Sequence, residues 1–342
     1  AILSPDEAEE DYLQALHGLT DVLPVSEREG YICDERDFIN LSILPNNICN
    51  FSCAYCYSAK GRSSARLPLA KAKAAVDFFL HEGRCPGPLF TVSIFGGGEP
   101  MLSWMDVVAP LIEYVYQSAG QRGRQVAVTL ITNGSLVDEQ LIRKCLDHRL
   151  NLVVSYDVLE DVQNAQRRHF AEVTANIRLL IDRGVVPAVN AVVTDLNVER
   201  QTEMVQALHD RFPEIRHVAF EPMIGVVPGR RVFYARFLAG FIDALSLAEL
   251  YNIRLTCTVL RNVDVTVDRY CPGELALCPD GSLSVCPCVS SPQEPRYADY
   301  IYGWVDDDGT VHIDRPKLKR LLAMNVKSQT WCADCFAKWN CG

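Results

Sequence analysis

The sequence predicts an α/β fold, an open, partial barrel of six strand–helix units with a small cysteine-rich domain at its C-terminal end. Three observations carry this. Short apolar runs alternate with longer amphipathic stretches from residue 38 to residue 220. Repeats at that spacing imply parallel strands joined by right-handed crossovers, and six units leave a barrel open where eight would close it. Beyond about Asn252 the alternation gives way to short strands, turns and eight of the fourteen cysteines.

Taken in order, residues 1–36 form an acidic extension in which Leu13, Leu16 and Leu19 are spaced for one helix face. The barrel is expected over 37–251. Its strands are Phe38–Leu44, Phe90–Phe95, Val126–Ile131, Leu152–Ser155, Val186–Val193 and His217–Phe220. Between them Leu69–His81, Trp104–Ser118, Val137–His148, Phe170–Arg183 and Val198–Arg211 carry helical periodicity, and Phe233–Tyr251 reads as one further long helix. Pro68 and Asp138 stand where helices start; Gly83, Gly120 and Gly184 stand where they stop. The last unit, 252–342, turns at Pro279-Asp280-Gly281 and at Asp306-Asp307-Asp308-Gly309. No internal repeat or low-complexity segment interrupts the pattern.

Composition narrows the function classes. The chain has 342 residues, 49% hydrophobic and 22% charged, a normal balance for burying a core. At roughly 150 residues per domain that length allows about two domains. A net charge of −10 repels phosphate backbones and anionic lipid, so nucleic acid and membrane are not expected partners. No apolar run approaches the ~20 residues of a membrane span, and the acidic start is unlike a signal peptide. A cytoplasmic protein is expected. Clustered cysteines without a secretion signal then read as metal ligands rather than disulfides.

Directly after the first strand stands Cys49-Asn50-Phe51-Ser52-Cys53-Ala54-Tyr55-Cys56. Three thiolates on one loop hold three irons of a cubane [4Fe–4S] cluster and leave the fourth without a protein ligand. A structural zinc site wants four ligands, and no histidine lies nearby. Composition alone would produce such a triplet only about 0.02 times in a chain of this length.

The triplet resembles the signature of the radical S-adenosylmethionine (SAM) superfamily, whose fold is a partial (β/α)6 barrel. The resemblance implies that the open iron chelates SAM and that electron transfer cleaves SAM to a 5′-deoxyadenosyl radical, which abstracts hydrogen from substrate. An external donor of flavodoxin or ferredoxin type is implied with it. Phe95-Gly96-Gly97-Gly98-Glu99-Pro100 is similar to the family's GGEP motif. Glycines there let backbone approach a ligand closely, and Glu99 offers an acceptor to an ammonium group. Thr132-Asn133-Gly134 and Ser155-Tyr156-Asp157 match further SAM-supporting segments, although Val158 stands where the family has glycine, so a different local turn is expected. By the same resemblance Tyr55, Gly97, Gly98, Glu99, Pro100, Asn133, Ser155, Asp157 and Asn190 are cofactor-binding, and Arg167 faces the active site.

The C-terminal spacing Cys271-x9-Gly281-x4-Cys286 followed by Cys332-x2-Cys335-x5-Cys341 resembles a SPASM domain, which carries two auxiliary [4Fe–4S] clusters. The resemblance assigns Cys332, Cys335 and Cys341 to the outer cluster and Cys271 and Cys286 to the inner one. Cys257, Cys278 and Cys288 stay open as a further inner ligand, and a zinc ribbon built from the same thiols stays open as well. Cys33, Cys85 and Cys145 read as plain thiols. The pattern breaks off in mid-spacing at Gly342, so either a natural terminus further on, the favoured expectation, or a truncated domain with incomplete ligation is expected.

The resemblance implies an enzyme that crosslinks ribosomally made peptides, oxidises a sulfatase Cys or Ser to formylglycine, or acts on small molecules, and a peptide maturase is expected first. A crosslink, carbon–carbon or thioether or ether, in a ribosomally made precursor peptide is the favoured expectation. Formylglycine formation of the anaerobic sulfatase-maturase type is the alternative, although Pro287 follows Cys286 where those enzymes have a basic Asp. A non-catalytic iron–sulfur peptide-binding protein is the alternative from another class, and the intact Cys49, Cys53, Cys56 and Glu99 speak against it. About 36 residues precede the first strand, too few for a leader-binding module, so a separate leader-binding protein, a sheet edge or the N-terminal segment would serve. Asp264, Asp268 and Tyr270, just before Cys271, are the candidate bases, and with Arg167 they make up the catalytic set.

Overall fold

The computed structural model describes residues 36, 38, 40–81, 89–223, 230–258, 273–324 and 330. The six expected strands are present as β1 (Asn40–Ile43), β2 (Leu89–Ile94), β3 (Gln125–Thr132), β4 (Asn151–Ser155), β5 (Ala188–Val193) and β6 (His217–Pro222). They pair in parallel, each with the next. A seventh parallel strand, β7 (Arg254–Thr256), follows β6; at three residues it is too short to show alternation in sequence.

The crossovers are α1 (Leu69–Phe79), α2 (Ala109–Gln121), α3 (Glu139–His148), the pair α4 (Glu160–Gln166) and α5 (Phe170–Asp182), α6 (Gln201–Arg211) and α7 (Arg230–Leu250). Asp138 caps α3 as expected, its carboxylate accepting from Gln140 N and Leu141 N at 3.0 and 2.8 Å. The stretch expected as one helix over Trp104–Ser118 is divided. A 3₁₀ turn, Pro100–Ser103, and a π turn, Trp104–Val108, precede α2. Pro110 stands in the first turn of α2 and has no N–H to bond the preceding turn, so regular α bonding cannot run through. Gly120 lies inside α2 rather than ending it, whereas Gly184 takes φ 86° just past α5.

β8 (Leu275–Leu277) joins the other side of β1, also in parallel. β9 (Ser282–Ser284), β10 (Ile301–Val305) and β11 (Val311–Ile313) continue as an antiparallel meander, with α8 (Tyr297–Tyr300) between β9 and β10 and α9 (Arg315–Leu322) after β11. Both expected turns form: Gly281 and Gly309 sit at φ 89° and 87°. The described C-terminal strands therefore extend the barrel's own sheet, in the order β11-β10-β9-β8-β1-β2-β3-β4-β5-β6-β7.

Strand alternation places the site. Phe90, Val92 and Ile94, Val128 and Leu130, and Val189, Ala191 and Val193 seal one face into the core. The other face presents Thr91, Ser93, Thr129, Ser155 and Asn190, smaller and more polar and less completely covered. Among the described residues no helix is long and apolar enough to cross a membrane.

Candidate active site

The loops leaving the C-terminal ends of β1, β2, β3 and β4 carry the sequence motifs, and hydrogen bonds join them. Gly98 N donates to Asn46 O at 2.9 Å, and Glu99 N donates to Ile48 O at 2.7 Å. The glycines are required by this approach. A Cβ on Gly98 would stand 1.9 Å from Ile48 O, and one on Gly97, at φ 60°, would stand 2.4 Å from Asn47 Oδ1. Asn46 completes the seam, its Nδ2 donating to Glu99 O at 3.0 Å and to Ser103 Oγ at 2.8 Å. From the β3 loop, Asn133 Nδ2 donates to Asn50 Oδ1 at 2.9 Å, and Asn50 Nδ2 donates to Ser135 Oγ at 2.8 Å.

Glu99 is buried and held on both oxygens. Oε1 accepts from Thr132 Oγ1 at 2.6 Å and from Met101 N at 3.1 Å, and Oε2 accepts from Asn133 N at 2.7 Å. Burial raises its pKa and these donors oppose the rise. Pro100, first residue of the 3₁₀ turn that Glu99 caps, needs no hydrogen bond there.

Cys49, Cys53 and Cys56 are free thiols that line one pocket of about 410 Å³ with Asn47, Phe51 and Arg62. Burial raises the Cys53 pKa; the Arg167 charge opposes this and the neighbouring Cys56 and Cys49 add to it. Arg62, six residues past Cys56, donates from Nη2 to Cys56 Sγ at 3.2 Å. Burial would lower its pKa, but the Cys49 and Cys56 charges outweigh that and raise it.

Tyr55 links the cysteine loop to the barrel wall. Its hydroxyl donates to Asp157 Oδ2 at 2.8 Å and accepts from Arg167 Nη1 at 2.7 Å, so one phenol bridges a buried anion and a buried cation. Asp157 also accepts from Gln166 Nε2 at 3.0 Å and from Val192 N at 3.0 Å. Burial raises its pKa against these donors. Burial works to lower Arg167, but Tyr55, Asp157 and Cys53 raise it, so it stays charged. α4 serves this junction directly, since Ala54 N donates to Gln166 O at 2.8 Å. In the turn after Asp157, Val158 sits in the left-handed region at φ 67° and is fully buried. Ser155 pairs in register with Asn190 across β4 and β5.

Sequence reading missed Asn46, Asn47, Asn50, Arg62, Gln166 and Gln163, whose Oε1 accepts from Asp157 N at 2.7 Å. The asparagines flank the triplet at a strand exit, and a cation six residues past a thiolate was a readable signal for Arg62. Gln163 and Gln166 belong to α4, too short for a periodic signal. Asp264, Asp268, Tyr270, Cys271, Cys332, Cys335 and Cys341 lie outside the described residues, as do Cys33 and Cys85. Cys286 follows β9, and Cys145 is buried, its thiol pushed up to about 12 by desolvation.

The donor set fits an iron–sulfur cluster with a polar ligand beside it. Three thiols share a pocket and a cation bonds one of them. Arg62 Nη1, Arg167 Nε and Asn190 Oδ1 are buried without a hydrogen-bond partner, groups that a polar ligand would satisfy. Among the described residues no three His, Cys, Asp or Glu side chains gather into a single-ion site, so what the thiols share is a pocket rather than a point.

Comparison with known proteins agrees with this geometry. The model of the radical SAM superfamily matches residues 43–210. An uncharacterized protein, MJ0907 from Methanocaldococcus jannaschii, is 27% identical over 121 residues, 35% of this chain and 39% of that protein. The "Probable dual-specificity RNA methyltransferase RlmN" of Treponema pallidum is 34% identical over 86 residues, a quarter of this chain (25%) and 24% of its own length. The chain thus spans about two fifths or less of the curated relatives it matches. Among solved structures, anSMEcpe with bound AdoMet and Kp18Cys peptide aligns over 85% of this chain and 87% of its own, with TM-score 0.66 and 17% identity. SuiB of Streptococcus suis bound to precursor peptide SuiA aligns over 94% of this chain and 70% of its own, with TM-score 0.56 and 13% identity.

Proposed function

Over residues 43–210 the chain belongs to the radical SAM superfamily, and from that premise we propose that it is an enzyme that cleaves SAM reductively and abstracts hydrogen from a peptide. The observation that carries the reading is the Cys49, Cys53 and Cys56 pocket sewn to Glu99 and Asn133 by the loop seam. When bound, a [4Fe–4S] cluster and SAM would supply the one-electron chemistry for hydrogen abstraction at an unactivated carbon.

The chain's own residues do the rest. Cys49, Cys53 and Cys56 would hold the cluster, and Arg62 would offset thiolate charge at Cys56. Glu99 presents an acceptor to the SAM ammonium, its carboxylate fixed by Thr132, Asn133 and Met101 so that no reorganisation is needed on binding. Ser155 and Asn190, adjacent on the less covered face, orient the polar part of SAM. Arg167 and Asp157 position the cysteine loop through Tyr55.

A peptide substrate fits the two structural neighbours, anSMEcpe with Kp18Cys peptide and SuiB with precursor peptide SuiA. Within that class we favour crosslink formation, with formylglycine formation as the second reading; Pro287 at the position of the expected base is what weighs against the second. Auxiliary clusters on Cys271, Cys286, Cys332, Cys335 and Cys341, and an external flavodoxin or ferredoxin donor, belong to the same proposal. So does a separate leader-binding protein.

The test is mass spectrometry of a candidate precursor peptide and of a Cys- or Ser-containing sulfatase peptide after anaerobic incubation with enzyme, SAM and reductant. A crosslink removes two hydrogen atoms and leaves a product that resists aldehyde trapping. An aldehyde trapped on the sulfatase peptide would favour formylglycine instead. Unchanged peptides alongside SAM turnover would refute the peptide reading.

A further inference from the structure

Cys286, Pro287 and Cys288 form a β-turn directly after β9. Val289 N donates to Cys286 O at 3.1 Å, which puts Pro287 at the second position, where its fixed φ is favoured. Ser284 braces the turn from behind: its hydroxyl accepts from Cys286 N at 3.2 Å and donates to Cys286 O at 2.8 Å. The two thiols, two residues apart, are carried on this one braced turn. Both are half-buried, and neither is in a disulfide. The pair also lies near the first cluster loop: Ser290, two residues past Cys288, donates from Oγ to Asn47 Oδ1 at 3.5 Å, and Asn47 lines the pocket of Cys49, Cys53 and Cys56.

The other two thiols that spacing left open are placed differently. Cys278 ends β8 with no exposure, its Sγ 3.9 Å from Ala276 O and 3.8 Å from Val289 O. Its surroundings are filled by backbone of the β8–β9 hairpin, and a close-packed interior leaves no volume for a metal. Cys257 is 2% exposed and follows β7, the opposite edge of the sheet from β8 and β9.

We infer that Cys288 is a ligand of the inner auxiliary metal group together with Cys286, and that Cys278 and Cys257 are not. The inference rests on reading the C-terminal region as cluster-bearing. A proline-fixed turn presenting two accessible thiols is preorganised for metal, because little chain entropy remains to be lost on binding.

The experiment is anaerobic reconstitution of the whole chain and of Cys286→Ala, Cys288→Ala, Cys278→Ala and Cys257→Ala. Iron, zinc and sulfide are counted, and the reduced proteins are examined by electron paramagnetic resonance. In Cys286→Ala and Cys288→Ala the same increment of about four irons should vanish while the signal of the first cluster remains. Cys278→Ala and Cys257→Ala should keep the full count. Full iron and signal in Cys288→Ala, or loss of the increment in Cys278→Ala, would overturn the inference. A wild type holding only about four irons removes the cluster-bearing reading itself.

Thiol alkylation of the reconstituted and metal-stripped wild-type protein, mapped by mass, does not depend on a variant folding. Cys286 and Cys288 should be protected when metal is bound and reactive when it is removed. Cys288 alkylated equally in both states would overturn the assignment.

Discussion

Replacing Gly98 by alanine would place a methyl carbon 1.9 Å from Ile48 O, where real contacts do not fall below 3.0 Å, so the two loops must part by at least 1.1 Å (3.0 minus 1.9). The obstacle is backbone carbonyl, which cannot rotate aside as a side chain would. The bonds Glu99 N to Ile48 O and Gly98 N to Asn46 O, at 2.7 and 2.9 Å, span that same gap. Stretched by such an amount they exceed hydrogen-bond range. Two lost backbone bonds, with buried groups left unsatisfied, cost about 2–5 kcal/mol. The disruption falls between the cysteine loop and Glu99, and a displacement of about 1 Å of a positioned group costs on the order of 100-fold in rate. The assay is 5′-deoxyadenosine formation from SAM, with iron content measured on the same samples. Gly120→Ala is the control, because a Cβ at Gly120 meets nothing within 4 Å and the position lies within α2. It should keep full activity and gain up to about 1 kcal/mol in stability. Gly98→Ala with wild-type SAM cleavage would refute the claim that the seam sets the site's geometry.

Three further outcomes follow from single contacts. Tyr55→Phe removes the phenol between Arg167 and Asp157; Asp157 keeps Gln166 and Val192 N, so a loss of about 2–4 kcal/mol in denaturant titration is expected, and an unchanged midpoint would contradict it. Val158→Gly relieves about 1–3 kcal/mol of left-handed strain and gives up a similar burial term, whereas Val158→Ala loses burial and keeps the strain. Glycine should therefore be the milder change by urea midpoint, and equal losses would rule the strain out. Burial, opposed by a hydrogen bond from Ser42, raises the Glu274 pKa above its ordinary value of 4.5. The native protein then keeps a proton that the unfolded chain releases. Stability from this group is fully present below 4.5 and is lost as pH rises through the folded pKa. Glu274→Gln should flatten that fall, and an identical pH slope in both proteins would exclude it.

How much was legible in the sequence follows from the length scale of each signal. Strands β1 to β6 and the long helices carry several apolar repeats each, enough for periodicity to place them. β7 and α4 hold too few residues to repeat, and the break before α2 depends on which N–H groups Pro110 removes from a helix otherwise well patterned. That β8 adds to β1 in parallel is a long-range pairing with no local trace. The site was readable wherever chemistry is written in spacing, as at Cys49, Cys53 and Cys56 and at Gly97, Gly98 and Glu99. The residues that join those loops were not. Asn46, Asn50 and Gln166 act through contacts made only once the chain folds, and asparagine and glutamine are common enough in loops to pass unnoticed. Val158 is a further case, since its left-handed φ of 67° is held by the surrounding structure and a valine in the sequence does not announce it.

The most direct measurement is anaerobic reconstitution of the wild-type chain and Cys53→Ala, with iron and sulfide counted and 5′-deoxyadenosine followed under reductant. Wild-type protein should bind iron and sulfide and release 5′-deoxyadenosine, and Cys53→Ala should release none while remaining folded. No iron and no SAM cleavage in the wild type, or cleavage undiminished in Cys53→Ala, would contradict the assignment of the Cys49, Cys53 and Cys56 pocket as the active site.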